Sequence, residues 1–298
     1  MTTTINATGT PTRQTQQDRP TRRTNNLLKK NWIGGTFGWL WLLIVMIPLY
    51  WIVITSFKTQ ANYFITNTFA PPSNPTLDNY RTVIDNQIVR YFFNSVIVTL
   101  GATLPAVLIS FMAAYAIVRG SGNFVLRWTN NLFLMGLAIP LQAVIIPVYL
   151  IIIRLKLYDS LLGLILPSLA FAIPLSVLVL RNFIRDVPKE LFESMHIDGA
   201  TEWGILWRLA FPLTRPALVT VTIYSALGIW NGFLLPLVLT QSPEKRTIPL
   251  ALVNLQGQFG VNTPAIAASV TLTTIPIVLL YAIGRRQLVS GLTAGVGK

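Results

Sequence analysis

Cysteine is absent from the 298 residues, histidine occurs once, at His196, and only ten side chains are acidic. Without thiols there is no disulfide framework and no thiolate metal site. One imidazole offers no paired-histidine metal spacing and is a poor basis for a zinc hydrolase or a histidine-dependent triad. Charge is scarce as well: 11% of residues are Asp, Glu, Lys or Arg, less than half of the roughly 25% of soluble domains. Apolar side chains take their place. Hydrophobic residues make up 52%, with 15 Phe, 9 Tyr and 8 Trp, and the mean hydropathy is +0.57. Such a chain needs a bilayer rather than water as its solvent. The net charge of +13 does not point to nucleic acid, because the basic residues sit between apolar runs instead of clustering with stacking aromatics on one face.

Residues 1–26 are rich in Thr, Gln, Asn and Arg and bury too little to offset ordering entropy, so residues 1–30 are expected to form a disordered tail. The first apolar run begins near residue 32 with no small-residue cleavage site after it, so no secretory signal is expected. Six stretches lack Asp, Glu, Lys and Arg: Asn31 to Phe57, Tyr91 to Val118, Trp128 to Ile153, Ser160 to Leu180, Pro216 to Pro243 and Thr247 to Gly284. Each exceeds the roughly 20 residues that a helix needs to cross the hydrocarbon layer. The alternating polarity of a membrane barrel is missing. The sequence therefore predicts an all-α polytopic membrane protein, with six transmembrane helices over 31–284 and a C-terminal tail over 285–298.

An even number of crossings puts both ends on one side. That side receives sixteen of the 23 basic residues, including Arg13, Arg19, Arg119, Arg127, Arg181, Arg185, Arg208 and Arg215. The excess predicts that both termini are cytoplasmic in a prokaryotic plasma membrane. Lys58, Arg81, Arg90 and the Pro71-Pro72 stretch fall on the opposite side and read as solvated loop.

Proline recurs in every span, among them Pro48, Pro105, Pro140, Pro147, Pro167, Pro174, Pro236 and Pro276; each frees a backbone carbonyl that a neighbouring helix or a wet path must satisfy. Small residues at Ala113, Ala114, Ala265, Ala267, Ala268 and Ser269 permit close helix packing. No ionisable residue lies within a span, which disfavours ion-coupled transport. The available polar groups are neutral: Asn94, Ser95, Thr99, Gln142, Tyr224, Ser225, Trp230 and Asn231. Hydrogen-bonding groups beside aromatic rings suit an uncharged, polyhydroxylated solute, so Asn94, Gln142, Tyr224, Trp230 and Asn231 are the candidate pathway residues. Such groups also serve simply to join helices.

No nucleotide site is encoded: the ending Gly291 to Lys298 lacks both the first glycine and the final Ser or Thr of a phosphate-binding loop. A pump would need a separate ATPase and a cytoplasmic feature to grip it. The connection from Arg181 to Arg215 holds five of the ten acidic residues. Val187-Pro188-Lys189-Glu190 has the composition of a helix start. Leu191, Phe192, Met195 and Ile197 are expected to supply apolar contacts while Glu190, Glu193 and Asp198 stay wet. Gly199 reads as a stop or bend, followed by a second segment, Thr201 to Leu209, that ends before Pro212.

Glu193-Ser194-Met195-His196-Ile197-Asp198-Gly199-Ala200, followed by Leu209-Ala210-Phe211-Pro212-Leu213, closely resembles the EAA loop of ABC importer permeases. Met195 replaces the small third residue and Phe211 the usual Leu. Other stretches resemble the maltose-type carbohydrate permeases: Ser56-Phe57-Lys58-Thr59, Pro75-Thr76-Leu77-Asp78-Asn79-Tyr80, Ala113-Ala114-Tyr115-Ala116, Ile146-Pro147-Val148-Tyr149-Leu150, Trp230-Asn231-Gly232-Phe233 and Gly291-Leu292-Thr293-Ala294-Gly295. Gly232 stands where relatives commonly carry an acidic or amide side chain.

The resemblance implies a non-enzymatic permease subunit of a binding-protein-dependent importer, forming half of a path for a sugar or oligosaccharide. Its implied partners are a related second permease, two ATPases that bind ATP and Mg, and an extracytoplasmic solute-binding protein; the chain itself binds no cofactor or metal. Residues 190–203 would be the coupling helix, with Glu193 to Ala200 docked on an ATPase. Two other readings stay open: a permease for glycerol phosphate or another small polar metabolite, and a stand-alone channel or ion-coupled carrier.

Overall fold

The computed structural model describes residues 32–294 apart from 86, 255, 258 and 259. The expected tail over 1–30 and the last four residues lie outside this range. The architecture is helical, with one two-stranded hairpin among the described residues. The chain divides into two units, Met1–Ile47 and Pro48–Lys298, and the contacts below belong to the second.

The first apolar run forms α1 (Trp32–Ser56). Its large side chains from Phe37 to Tyr50 are exposed, while Trp51 and Ile52 are half-buried, as suits a helix solvated by lipid along most of its length. Two short helices follow, α2 (Gln60–Ile65) and α3 (Asp78–Asp85). They fold back on the end of α1 through side-chain to backbone bonds. Asn79 Nδ2 donates to the carbonyls of Ser56 and Lys58 at 2.8 and 2.7 Å, and the hydroxyls of Ser56 and Tyr80 lie 2.7 Å apart.

Lys58 departs from the solvated-loop reading. It is 1% exposed, and Nζ donates to the carbonyls of Asn67 and Thr68 at 2.9 and 3.3 Å. The turn from Asn67 to Ala70 curls over the ammonium. Buried charge is tolerated where such dipoles replace water, and the loop supplies them only once folded.

The next run forms α4 (Ile88–Arg119), which packs along α7 (Leu161–Arg185). A methyl group on Gly101 would lie 3.0 Å from Ile165 Cδ1, so glycine there sets how closely the two helices approach. Between them lie α5 (Phe124–Leu137) and α6 (Leu141–Arg154), which meet at 108°. A single helix expected over 128–153 is therefore two. Pro140 has no N–H and drives the residue before it away from helical geometry.

After α7 come α8 (Lys189–Ile197) and α9 (Glu202–Ile205). A π-helical turn, Leu206–Ala210, joins α9 without a break to α10 (Phe211–Trp230). The expected end before Pro212 is absent. Phe211 N–H reaches the carbonyl of Leu206, five residues back, and this wider turn relieves the clash of the Pro212 ring with the preceding carbonyls.

The fifth apolar stretch is likewise divided. α10 stops at Trp230, Asn231–Phe233 turn the chain, and α11 (Leu234–Leu239) runs only six residues. A 3₁₀ turn (Pro243–Lys245) leads to α12 (Ile248–Asn254), then to the antiparallel pair β1 (Gln256–Gly257) and β2 (Gly260–Val261). The last helix, α13 (Thr263–Ala294), starts sixteen residues later than the uncharged stretch does. Asn262 Oδ1 accepts from Ala265 N–H at 3.1 Å at its start, so a capping amide, not the loss of charge, sets the boundary. At its other end α13 includes residues 285–294 of the expected tail.

Among the described residues, three unbroken helices are long and apolar enough to cross a membrane, Gly34–Ser56, Ile88–Arg119 and Leu161–Arg185; the bent α5–α6 pair qualifies only if taken together. Small residues pack as expected in the interior: Ala114, Ala265, Ala268 and Ser269 are each 0% exposed.

Candidate functional site

The connection between α7 and α10 is a built object. Glu190 lies in the first turn of α8, at the positive end of the helix dipole. Phe192 is 3% exposed and enters a core with Tyr115, Leu180, Ile184, Ile205 and Leu206, against which Met195 and Ala200 also pack. Ile197, expected to share that face, is 85% exposed, and Leu191 is exposed too. The helix period explains this: five residues turn about 500°, so Ile197 points about 140° away from Phe192.

The end of α8 is set by Gly199 at φ +80°. Gly199 N–H donates to the carbonyl of His196, and Ala200 N–H to that of Met195, both at 3.0 Å, a left-handed closure suited to glycine. A methyl group there would meet nothing within 4 Å. Glycine is thus required by the backbone angle, not by crowding within the chain. Thr201 then caps α9, its Oγ1 accepting from Gly204 N–H at 3.2 Å.

Glu193, Ser194, His196 and Asp198 are exposed around this corner, and Met195 and Ala200 are half-buried. With Ile197 and Leu191, the 60%-exposed Trp203 completes an outward apolar set. The corner is tied to α4 by residues that the sequence did not single out for a site. Tyr115 Oη donates to Glu202 Oε2 at 2.5 Å, and Arg119 Nη2 donates to Oε1 at 3.0 Å. The Arg119 guanidinium also lies 5.1 Å from the centre of the Phe192 ring. The hydrogen bond from Arg119, then that from Tyr115, holds the Glu202 carboxyl below the usual carboxylate range. Side-chain exposures of 29% for Arg119 and 52% for Glu202 limit the ion pair itself to about 0–1 kcal/mol. Phe192 burial contributes more, roughly 2–3 kcal/mol. Tyr115 and Arg119 are four residues apart on one face of α4, a signal available in sequence, but Glu202 is 83 residues beyond Arg119 and only folding joins them.

The pathway candidates separate. Tyr224 lines a cavity of about 300 Å³ between α4, α7 and α10, together with Ser95, Ser168, Ser225, Thr247 and apolar walls such as Phe171 and Phe233. Thr247 Oγ1 is buried without a hydrogen-bond partner. Gln142 is exposed, next to Leu141 of the cavity wall. Asn94 is 7% exposed, and its amide donates to the carbonyls of Glu244 and Arg246, each at 2.8 Å. Trp230 packs edge-on against Phe92 at 5.6 Å and borders a separate cavity of about 180 Å³ with Thr99 and Pro276. Asn231 is exposed and donates to the Leu227 carbonyl at 2.9 Å. Of the five, only Tyr224 lines the larger cavity. Neither Ser168 nor Thr247 stands out in the sequence, Ser168 being a single hydroxyl in an apolar run and Thr247 following the charged loop Glu244-Lys245-Arg246.

Known proteins match this chain over most of its length. It is 34% identical over 254 residues to the sulfoquinovosyl glycerol transport system permease protein of Agrobacterium fabrum, covering 84% of this chain and 88% of that protein. It is 31% identical to a diacetylchitobiose uptake system permease protein of Streptomyces coelicolor, with 92% and 99% covered. A subunit of a bacterial ABC transporter for import of the acidic polysaccharide alginate superposes with a TM-score of 0.75 over 85% of this chain and 94% of that one, at 20% identity. That last likeness concerns the fold. Residues 106–293 match the family of binding-protein-dependent transport system inner membrane components. The chain belongs to that family: it is a membrane-embedded permease subunit of an ABC transporter and not an enzyme.

Proposed function

We propose that this chain forms half of the translocation path of an ATP-driven importer for a sugar or oligosaccharide. Its six crossings are α1, α4, the α5–α6 pair, α7, α10 and α13, with both termini on the cytoplasmic side. Residues 1–30 are a cytoplasmic tail, 31–284 the permease domain and 285–298 a C-terminal segment. Residues 190–203 are the coupling helix and its flank, which dock in a cleft of a separate ATPase. ATP and Mg bind to that partner; a related second permease and an extracytoplasmic binding protein complete the assembly.

One observation carries the reading. A corner made of α8, Gly199 and α9 presents Leu191, Ile197 and Trp203 outward while Phe192 fixes it to the bundle. An apolar knob anchored in a core moves as a rigid body when a partner grips it. The binding of a neutral solute is supported by the larger cavity: among the described residues, none that lines it is Lys, Arg or His. A phosphate ester would find no counter-charge there, whereas hydroxyls and aromatic faces suit a sugar. This favours a carbohydrate over glycerol phosphate. Relatives named for diacetylchitobiose and sulfoquinovosyl glycerol transport support the same choice.

The test is purification of the tagged chain from its native membrane, with mass spectrometry of the copurifying subunits and of the solute on the binding protein. An ATPase and a bound sugar are expected. Gly199→Glu, which strains the backbone and puts a charge on the docking corner, is expected to abolish uptake with membrane insertion intact. Unchanged ATP-dependent uptake by Gly199→Glu would refute the coupling assignment. Uptake by the purified chain alone in liposomes without ATP would refute the importer and support a channel or carrier.

A further inference from the structure

A knob that docks on a motor moves solute only if its displacement reaches the helices that enclose the path. The core around Phe192 fixes the knob to the bundle, and α9 runs through the π turn into α10. Directional side-chain bonds tie the corner to a second long helix. Glu202 is the first residue of α9, immediately beyond the Gly199 turn, and both of its carboxylate oxygens are held by α4. Tyr115 Oη and Arg119 Nη2 take one oxygen each, at 2.5 and 3.0 Å, and Arg119 Nε lies 3.4 Å from Oε2. Two donors from successive turns of one helix fix the carboxylate in position and in rotation. Tyr115 is 6% exposed, so its ring is fixed by packing, while the carboxylate that it meets is 52% exposed. Arg119 is held in turn over the Phe192 ring, so α8 and α9 are both referred to the same end of α4.

The opposite end of α4 holds another loop. Asn94 donates to the carbonyls of Glu244 and Arg246, and Ser95 Oγ accepts from Ile248 N–H at 2.9 Å. Twenty-one residues separate Asn94 from Tyr115, roughly 32 Å at about 1.5 Å per residue, which is about the thickness of the hydrocarbon layer. One helix therefore carries a directional clamp at each face of the membrane. Its two residues Ser95 and Val98 also line the larger cavity.

We propose that Tyr115 and Arg119, acting through Glu202, are positioning residues that transmit the stroke of the coupling helix to α4 and through it to the 244–248 loop on the far side. The proposal rests on the importer reading above. The joint stays closed while the knob moves, so α4 follows. Without it the ATPase still docks and turns over, but the stroke reaches α10 and not α4, and ATP is consumed with little solute moved.

The full importer, reconstituted with its ATPases and binding protein, tests this through sugar taken up per ATP hydrolysed. The probe is the sugar eluted from the copurified binding protein, followed by mass spectrometry. Glu202→Ala and Arg119→Ala are expected to lower that ratio about fivefold, the upper end of what a partly exposed ion pair supports, with the ATPase copurifying in full. Tyr115→Phe, which keeps the ring packing and removes only the hydroxyl, is expected to lower it in the same direction. Arg119→Glu alone should uncouple, and combining it with Glu202→Arg should restore at least half of the ratio. An unchanged ratio in the alanine variants overturns the proposal. So does loss of ATPase copurification in every variant including Tyr115→Phe, since the cluster would then serve docking alone. If the unaltered chain neither copurifies with an ATPase nor transports, the importer reading itself fails, which is a separate result.

Discussion

Asp159 shows how a single residue outside the spans joins distant stretches of chain. At φ 55°, it donates its N–H to the Leu239 carbonyl at 3.0 Å. Its carboxylate accepts from the N–H groups of Gln241 and Ser242 at 2.9 and 3.0 Å and from the Ser242 hydroxyl. Burial pushes the carboxyl up, but the Ser242 hydroxyl, the two amides and nearby Lys245 outweigh it and hold it below its ordinary value. A carboxylate depressed in the folded state adds stability above its unfolded pKa of about 3.9, and that contribution fades as pH falls through the lower folded value. The clasp is therefore full at neutral pH and lost in strong acid. Asp159→Ala is expected to release the 239–245 turn, at a cost of about 1 kcal/mol given its solvent access. Hydrogen exchange of those amides at pH 7 checks it, with faster exchange in the variant and no change in α4. Neither this bond nor the burial of Lys58 is legible in sequence. Lys58 stands among polar loop residues, and only the curl of Asn67–Ala70 over its ammonium makes it interior.

At the scale of elements, hydropathy marked apolar stretches that fold as helices but not where those helices begin, break or end. Pro140 divides the third stretch and Asn231–Phe233 the fifth, while Asn262 sets the start of α13. Each is a local backbone effect inside an uncharged run, where counting charge has nothing to register. The reverse holds at Pro212, read as a stop, where the π turn over Leu206–Ala210 carries the helix through. In α8 the period of 3.6 assigns Phe192 and Ile197 to opposite faces, but which face meets the bundle was not in the local sequence. Phe192→Ala is expected to cost about 3–5 kcal/mol of packing. Limited proteolysis should then cut within 189–205 while α4 and α7 remain protected; an unaltered digestion pattern would show that Phe192 does not anchor the corner.

For the molecule as a whole, the proposed orientation rests on charge bias, and the absence of cysteine makes it directly measurable. Ile197→Cys and Gln241→Cys each add one thiol at an exposed position, and no native thiol competes. An impermeant maleimide applied to intact cells is expected to label position 241 and not 197, with the pattern reversed in inside-out vesicles. Labelling of both from one side would contradict the six-crossing arrangement. The same geometry separates two jobs for polar groups. Asn94 spends its amide on carbonyls of the 244–246 loop, whereas Ser168, Ser225 and Thr247 line the cavity shared with Tyr224.

By itself the sequence determined the solvent, the helical class and the partner-dependent character of the protein. Those follow from composition, from the length of uncharged runs and from a contiguous motif, all of which are local along the chain. It also determined the Gly199 corner, whose backbone requirement is written in one residue. Tertiary structure alone decided which hydroxyls share a cavity, that Lys58 is interior, and that Glu202 closes on Tyr115 and Arg119. Those outcomes depend on groups from about ten to about 150 residues apart, and a hydrogen bond forms only where folding brings its donor and acceptor within about 3 Å.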